Sequence, residues 1–153
     1  YTNMQVESIK TKNFITKVMD LINVDLKKFN INNSMSSIFI DIDETKMIVA
    51  VRNLIDNALK YGDPDQTITI NVVQKEQLCC FEISNCGTII KGDEVSNIFL
   101  PFFRSQENKN SVSGFGLGLT ICKKIVEAHS GQLFVSSSNS LTTFSIEFPI
   151  KKQ

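Results

Sequence analysis

A single amphipathic stretch, residues 44–61, constrains this chain more than any other feature of its sequence. At about 100° per residue its apolar side chains form one broad arc, made of Met47, Ile48, Val51, Leu54, Ile55, Ala58 and Leu59. The opposite side, roughly a 100° sector, carries Asn53, Asn57, Lys60 and Tyr61. The pattern predicts a helix that buries one face in a protein core and presents a polar face of unusual composition.

The composition of that polar face suggests a ligand. Solvated helix faces more often carry Glu and Lys, which are better helix formers than Asn. Asn53 and Asn57 offer neutral oxygen ligands one turn apart, Lys60 offers a cation, and Tyr61 offers a flat ring. This set suits a metal-bound polyphosphate with an attached base. The alternative is a solvated face with two incidental asparagines, and the helix alone does not decide between them.

Length and charge limit the classes of protein to consider. The chain has 153 residues, which predicts a single domain over 1–153. Its 16 basic and 16 acidic residues give a formal net charge of zero, so no basic field exists to attract nucleic acid or an anionic membrane. Apolar runs such as residues 47–51 fall far short of the roughly 18 residues that span a bilayer. We therefore expect a soluble domain that has no signal peptide and binds no nucleic acid.

The four cysteines are better explained as buried thiols than as a metal site. They are Cys79, Cys80, Cys86 and Cys122, and the one histidine is His129. Cys79 and Cys80 would point to opposite faces of a strand, which makes them poor disulfide partners. The spacing fits no zinc pattern. We expect reduced, mostly buried thiols.

The first half of the chain predicts two helices and a strand. Apolar residues recur at helical spacing over 12–29, so we expect an amphipathic helix ending near Asn30. Residues 37–42 predict a short strand. Asp43 then stands where a helix cap belongs, and Gly62 stands where a helix ends.

The second half of the chain is richer in strands. Alternating apolar residues over 67–73 and 78–84 predict a hairpin that turns around 74–77. A helix follows Gly118 and ends at Gly131. Two further strands are predicted at 132–137 and 141–148. Together these elements indicate an α+β two-layer sandwich, with three helices and a mixed sheet of about five strands.

A glycine-rich loop precedes the last helix. Gly114, Gly116 and Gly118 alternate with other residues immediately before the predicted helix start. Glycines let a backbone approach phosphate oxygens closely, and free amides at a helix N-terminus favour an anion. No strand precedes the loop and no Lys-Ser/Thr follows it, which argues against a dinucleotide site and a P-loop. By itself the loop fits a phosphate site or a flexible hinge equally well.

Four blocks, taken in order, resemble the catalytic and ATP-binding domain of sensor histidine kinases. That domain belongs to the wider superfamily of gyrase, chaperone, histidine kinase and MutL ATPases, with the Bergerat-type fold. The blocks are Asn53–Tyr61, Asn85–Ile90, Phe99–Arg104 and Gly114–Leu119, and the resemblance runs from about Lys12 to Pro149. It implies that residues 1–11 form the linker from a dimerisation hairpin outside this chain.

The resemblance also implies a role for each matched residue. Asn57 would hold Mg²⁺, Asn53, Lys60 and Arg104 would serve catalysis at the phosphates, and Tyr61 would lie against adenine. The nucleotide would further contact Asn85, Gly87, Ile90, Phe99, Phe103, Gly114, Gly116, Leu117, Gly118 and Leu119, with Phe99, Phe102 and Phe103 anchoring a lid. These roles agree with the chemistry of the side chains.

Three positions bear on the nucleotide affinity and the type of reaction that the resemblance implies. The family has Asp where this chain has Asn85, and a second glycine where it has Ile89. An amide keeps an acceptor oxygen for the adenine amino group but loses the charge, which puts affinity in question. Hydrolases of the superfamily carry a Glu base at the position of Asn53, and Asn cannot take a proton at neutral pH. That absence favours transfer to a nucleophile, such as imidazole, that needs no base.

The function implied by the resemblance is transfer of the γ-phosphoryl group of MgATP to a histidine on a separate dimerisation domain of the same protein. A response regulator would be the downstream partner, and the domain would be the cytoplasmic part of a membrane sensor. His129 lies near a helix end and matches a structural His-x-Gly turn, so we do not expect it to accept phosphate. The alternatives are a nucleotide-binding or scaffolding module without phosphotransfer, and a self-sufficient ATPase.

Overall fold

The computed structural model describes residues 3–23, 25–87 and 117–151. Its helices are α1 (Thr11–Leu21), α2 (Glu44–Tyr61) and α3 (Leu117–Ala128), with a short 3₁₀ helix at Leu26–Lys28. Its strands are β1 (Glu7–Lys10), β2 (Phe29–Asn33), β3 (Phe39–Ile42), β4 (Ile68–Lys75), β5 (Leu78–Cys86), β6 (Gln132–Ser138) and β7 (Leu141–Pro149).

Five of the strands form one mixed sheet in the order β2-β4-β5-β7-β6. The β2–β4 pair is parallel, and the other pairs are antiparallel. The β4–β5 hairpin turns through two residues, of which Glu76 has a φ of 57°. A separate two-stranded sheet pairs β1 with β3. The predicted α+β class, with a five-stranded mixed sheet and three helices in the described ranges, is confirmed.

The core lies between one face of the sheet and the three helices. Alternate residues of the strands, such as Ile70 and Ile83, join the apolar faces of the helices in a single buried cluster. Phe14 of α1 stacks on Phe81 of β5 with ring centroids 5.6 Å apart, and Phe81 meets Phe148 of β7 at the same distance. Helix α2 packs against both α1 and α3, so it is held on two sides.

The helix predicted over 12–29 is wrong beyond residue 21. Helix α1 ends at Leu21, where Ile22 adopts an extended backbone. Asp25 then caps the short 3₁₀ helix by accepting a hydrogen bond from the N–H of Lys27 at 3.0 Å. Phe29, which the periodic pattern assigned to the helix, begins strand β2 and is buried in the core. The apolar spacing continues across this break without marking a helix face, because Leu26 is exposed in the 3₁₀ helix and Phe29 is buried as part of a strand.

The leading segment contains regular structure. Glu7–Lys10 forms strand β1, which pairs antiparallel with β3, and α1 begins at Thr11. Strand β3 begins at Phe39, two residues later than the strand predicted over 37–42. The assignment of residues 1–11 to an interdomain linker stays a prediction.

Candidate functional site

Helix α2 begins and ends where the sequence predicts. The Asp43 carboxylate accepts a hydrogen bond from the N–H of Lys46 at 3.1 Å, which satisfies one of the free amides of the first turn. Glu44 adds a negative charge to that turn, where the helix dipole favours it. At the other end, Gly62 has an extended backbone and donates its N–H to the Ala58 carbonyl at 2.9 Å.

The two faces of α2 are divided as predicted. Six of the seven residues of the apolar arc are buried, and Leu59 packs partly against the core. Asn53, Asn57 and Tyr61 are half-buried and Lys60 is exposed. The predicted ligand residues on this helix therefore share a face that the core does not use.

The end of β5 lies directly against the end of α2. Gly62 and Gly87 form an isolated antiparallel bridge, and the N–H of Asp63 donates to the Cys86 carbonyl at 2.6 Å. Gly87 has a φ of +156°, and a Cβ there would stand 2.4 Å from the Tyr61 carbonyl oxygen. Glycine is required here because two backbones meet, a reason that the motif does not reveal. The bridge brings two of the predicted blocks together.

Asn85 is the polar group at the centre of this junction. The residue is 5 % exposed, and we find no hydrogen-bond partner for its side-chain amide among the residues that the structure describes. The amide nitrogen packs beside Gly62, 3.3 Å from where a Cβ would stand on that glycine. A buried amide without a partner costs free energy, on the order of 1–3 kcal/mol. Such a group is typical of a site that a ligand or an ordered water completes.

A small cavity adjoins Asn85. It measures about 50 Å³ and is walled by the end of α2, the following loop and the start of β4, including Ala58, Gly62 and Ile68. Ligand pockets hold about 300–1,000 Å³, so this space is suited to water and not to a whole nucleotide.

Lys28 is a feature of this region that the sequence did not reveal. It ends the 3₁₀ helix, lines the cavity, and donates a hydrogen bond from Nζ to the Pro64 carbonyl. The contact ties the start of β2 to the loop that follows α2. Because the helix predicted over 12–29 included Lys28, no local sequence pattern indicated that its side chain reaches this loop.

Helix α3 supplies the other predicted phosphate contacts that fall in the described ranges. Its first three residues are Leu117, Gly118 and Leu119, whose backbone N–H groups have no partner within the helix. Leu119 is half-buried against the core, and the helix packs along α2. The remaining predicted residues, Ile90, Phe99, Phe102, Phe103, Arg104, Gly114 and Gly116, lie outside the described residues, as does the departure at Ile89.

The cysteines are free thiols, and three of the four are buried, as predicted. Burial raises the pKa of Cys79 and of Cys122 to about 12. Burial also raises the pKa of Cys80 to about 11, where the Lys75 ammonium acts in the opposite direction. These thiols are unreactive at neutral pH and serve as small core residues.

His129 is fully engaged within the fold. Its Nε2 accepts a hydrogen bond from the N–H of Asp43 at 3.0 Å, and its Nδ1 lies 2.8 Å from the Ile125 carbonyl. Nδ1 therefore carries the proton and donates to Ile125, and the ring is neutral. Burial lowers the pKa of this imidazole. The prediction that His129 is a structural residue is confirmed, since neither nitrogen is available to a phosphoryl group.

In the described part of the chain, no helix is both long enough and apolar enough to cross a membrane.

Comparison with known proteins identifies the class. Residues 42–152 match the family model described as histidine kinase-, DNA gyrase B- and HSP90-like ATPase, and the chain belongs to this family. Within it, the similarity is to sensor histidine kinases, which confirms the resemblance found in the sequence.

Named relatives belong to this class. The chain is 32% identical over 123 residues to the adaptive-response sensory kinase SasA of Synechococcus elongatus, covering 79% of this chain and 31% of SasA. It is 33% identical over 108 residues to the sensor protein VanS of Enterococcus faecium, covering 70% and 28%.

Solved structures share the fold of this chain. The catalytic domain of the histidine kinase ThkA, solved without nucleotide, matches with a TM-score of 0.84 at 23% identity, over 97% of this chain and 100% of that domain. ThkA in complex with the response regulator TrrA matches with a TM-score of 0.79 at 23% identity, over 95% of this chain and 42% of that one. The chain spans about a third of the length of the two relatives named above, 31% of SasA and 28% of VanS.

Proposed function

We propose that this chain is the MgATP-binding catalytic domain of a sensor histidine kinase. It would transfer the γ-phosphoryl group of ATP to a histidine on a separate dimerisation domain of the same protein, with a response regulator downstream. The observation that carries the proposal is the junction of α2 and β5. There the polar face of α2 ends beside Asn85, a buried amide without a partner among the described residues.

The base of the nucleotide would be recognised at this junction. The amide oxygen of Asn85 can accept a hydrogen bond from an adenine amino group, and the Tyr61 ring lies on the adjoining half-buried face. The small cavity behind Asn85 has room for water that would bridge the base to the backbone around it. A buried amide without a partner among the described residues is therefore better explained by a site that binds an adenine nucleotide than by a site that stays empty.

The phosphates would follow the polar face of α2 away from Asn85. Asn57 offers one neutral oxygen ligand for Mg²⁺, so most ligands would come from phosphate and water, as this cation prefers. When bound, Mg²⁺ would neutralise charge that develops on the phosphates. Lys60, which is exposed, and the backbone amides that begin α3 would supply further positive potential. Asn53 would position the Mg²⁺ ion and the phosphates without acting as a base.

The acceptor must come from elsewhere, because His129 is the one histidine in the sequence and both its nitrogens are engaged. An imidazole is nucleophilic without deprotonation by a carboxylate, which agrees with Asn53 at the position of the hydrolase base. The two observations together favour phosphotransfer to a separate domain over hydrolysis. In the longer protein, this domain would lie on the cytoplasmic side of a membrane sensor.

Two measurements test the proposal. Calorimetric titration with a non-hydrolysable ATP analogue, with and without Mg²⁺, should show binding that strengthens with the metal. Incubation with ATP and a histidine-bearing dimerisation domain should then label that domain. Binding without labelling would support a nucleotide-binding or scaffolding module, an alternative motivated by Asn85. Steady release of phosphate by the chain alone would instead indicate a self-sufficient ATPase.

A further inference from the structure

The leading segment, residues 3–10, is fastened to the first turn of α2. The N–H of Gln5 donates to Oδ2 of Asp43 at 2.9 Å. The Asn3 carbonyl accepts a hydrogen bond from Nζ of Lys46 at 3.2 Å. Strand β1 then pairs along its whole length with β3, and β3 ends immediately before Asp43. The segment is thus held to the start of α2 by a polar cluster and a strand ladder.

The second carboxylate oxygen of Asp43 holds this segment. An N-cap needs one acceptor, and Oδ1 supplies it to the N–H of Lys46. Oδ2 is left to bind the N–H of Gln5 and the Lys46 ammonium, which lies 3.2 Å away. Asp43 is 3 % exposed, so water competes little for these bonds. Its burial alone would raise the pKa, but the hydrogen bonds from Gln5 and Lys46 outweigh burial and lower it.

We propose that Asp43 is a positioning residue, which fixes residues 3–10 to the start of α2. If residues 1–11 form the predicted linker, this attachment sets where the nucleotide lies relative to the domain that bears the phosphoacceptor histidine. The inference rests on the proposed function. Helix α2 has 18 residues and is about 27 Å long, and its far half carries Asn57 and Lys60. Asp43 touches neither nucleotide nor acceptor and acts through the helix it caps.

A positioning role makes a prediction that a purely structural role does not. If the polar cluster only stabilised α2, weakening it would impair nucleotide binding and phosphotransfer together. If it orients the domain, the isolated chain should bind MgATP as before while transfer within the full-length kinase becomes slower. The two roles differ in the effect on kcat at unchanged affinity for ATP.

The first test removes a single backbone donor. Gln5→Pro deletes the N–H that binds Asp43, and Gln5→Ala keeps it and serves as the matched control. In the full-length kinase we expect Gln5→Pro to lower kcat for histidine phosphorylation by about tenfold, the effect of losing one hydrogen bond to a charged group, with the KM for ATP within about twofold. Gln5→Ala should resemble the wild type in both.

A second pair covers the case in which proline disturbs folding. Lys46→Met removes the ammonium that binds the Asn3 carbonyl and Asp43, whereas Lys46→Arg keeps a cation there. The methionine variant should slow transfer and the arginine variant should restore it. The positioning role would be overturned if either deletion left kcat unchanged, or if ATP affinity fell in parallel with kcat.

Amide hydrogen exchange of the wild-type chain separates this inference from the proposed function. The Gln5 amide should exchange at least about tenfold more slowly than an unprotected amide, with or without nucleotide. Unprotected exchange at Gln5 would refute the attachment while leaving the proposed kinase activity untouched. A wild-type kinase that neither binds MgATP nor labels its histidine would refute the proposed function instead.

Discussion

The backbone N–H of Asp43 donates to Nε2 of His129 at 3.0 Å, which joins the start of α2 to the turn that follows α3. The bond is buried, and the His129 ring also lies edge-on to Phe148 of β7, with ring centroids 6.2 Å apart. One imidazole therefore connects both helices of the candidate site to the sheet. This role predicts how the protein responds to loss of the ring and to its protonation.

Replacing His129 with Leu should destabilise the fold. The substitution fills the space with an apolar side chain but leaves the N–H of Asp43 and the carbonyl of Ile125 with one partner fewer. We expect the free energy of unfolding to fall by about 1–3 kcal/mol, the cost of a buried polar group without a partner. Urea unfolding measures it. Glu127→Ala, on the exposed side of α3, is the control and should change stability by less than about 0.5 kcal/mol. Equal stability of the Leu variant and the wild type would contradict the assigned hydrogen bonds.

Stability should fall as pH decreases below neutrality. Burial lowers the pKa of His129 in the folded state, whereas the unfolded chain has a value of about 6.5. The unfolded state therefore takes up the proton first as pH falls. The contribution of the neutral ring is complete above about pH 6.5 and is lost as pH falls through the folded-state pKa.

Urea unfolding between about pH 7.5 and 5 measures this slope, which is at most about 1.4 kcal/mol per pH unit for one group. Because His129 is the one histidine in the chain, His129→Gln should remove most of the slope in the upper part of this range. A wild type whose stability stays constant down to pH 5 would mean that the ring accepts a proton while folded.

Introducing a side chain at Gly87 should destabilise the domain. A Cβ at this position would stand 2.4 Å from the Tyr61 carbonyl and 2.9 Å from Cα of Gly62, and both contacts are with backbone. Because neither backbone can move without opening the junction, Gly87→Ala should cost more than about 2 kcal/mol. The urea midpoint measures it, with Gln66→Ala in the exposed loop nearby as the control. Unchanged stability would show that α2 and β5 do not meet as closely as described.

Agreement between local signals decided which elements the sequence could predict. For α2, the Asp43 cap, the apolar period and Gly62 all mark the same bounds, and the helix has those bounds. Strand β2 was missed because its residues 30–33 include three Asn, which have low strand propensity. It is held instead by parallel pairing with β4 and by the Asn32–Asn71 side-chain bond at 3.0 Å, contacts that no local window contains.

The candidate site divides in the same way. The polar face of α2 follows from helical periodicity alone, and the importance of Asn85 and Gly87 followed from their matched block. The reasons for that importance did not follow from the sequence. The close approach of Gly87 to Tyr61 and the burial of Asn85 depend on how β5 meets α2 in three dimensions. Lys28 reaches the Pro64 carbonyl for the same reason.

Loss of the Asn57 amide should abolish Mg²⁺-dependent ATP binding and leave the fold intact. Ala offers no oxygen ligand to the metal. Since Asn57 is half-buried on the face of α2 away from the core, Asn57→Ala should change the free energy of unfolding by less than about 1 kcal/mol. Calorimetric titration with and without Mg²⁺ is the measurement, and Thr45→Ala, at the exposed start of the same helix, is the control. Normal MgATP binding by Asn57→Ala would remove Asn57 from the proposed metal site.

Substituting Asp for Asn85 should tighten ATP binding while weakening the empty domain. Asn85 is 5 % exposed, so an ionised carboxylate there would lose hydration without gaining a partner in the described residues. In the proposed complex, however, the carboxylate would accept a charge-assisted hydrogen bond from the adenine amino group, roughly twice as strong as the bond to a neutral amide. We expect affinity for ATP to rise by about 0.5–1.5 kcal/mol, up to roughly tenfold. GTP presents an acceptor at that ring position, which the carboxylate would repel, so discrimination against GTP should rise as well.

Titrations of both forms with ATP and GTP, at one concentration of salt and Mg²⁺, give the affinities, and urea unfolding of the empty forms gives the cost of the buried charge. A folded Asn85→Asp variant with both affinities unchanged would show that this side chain does not face the base, and that the buried amide has another role.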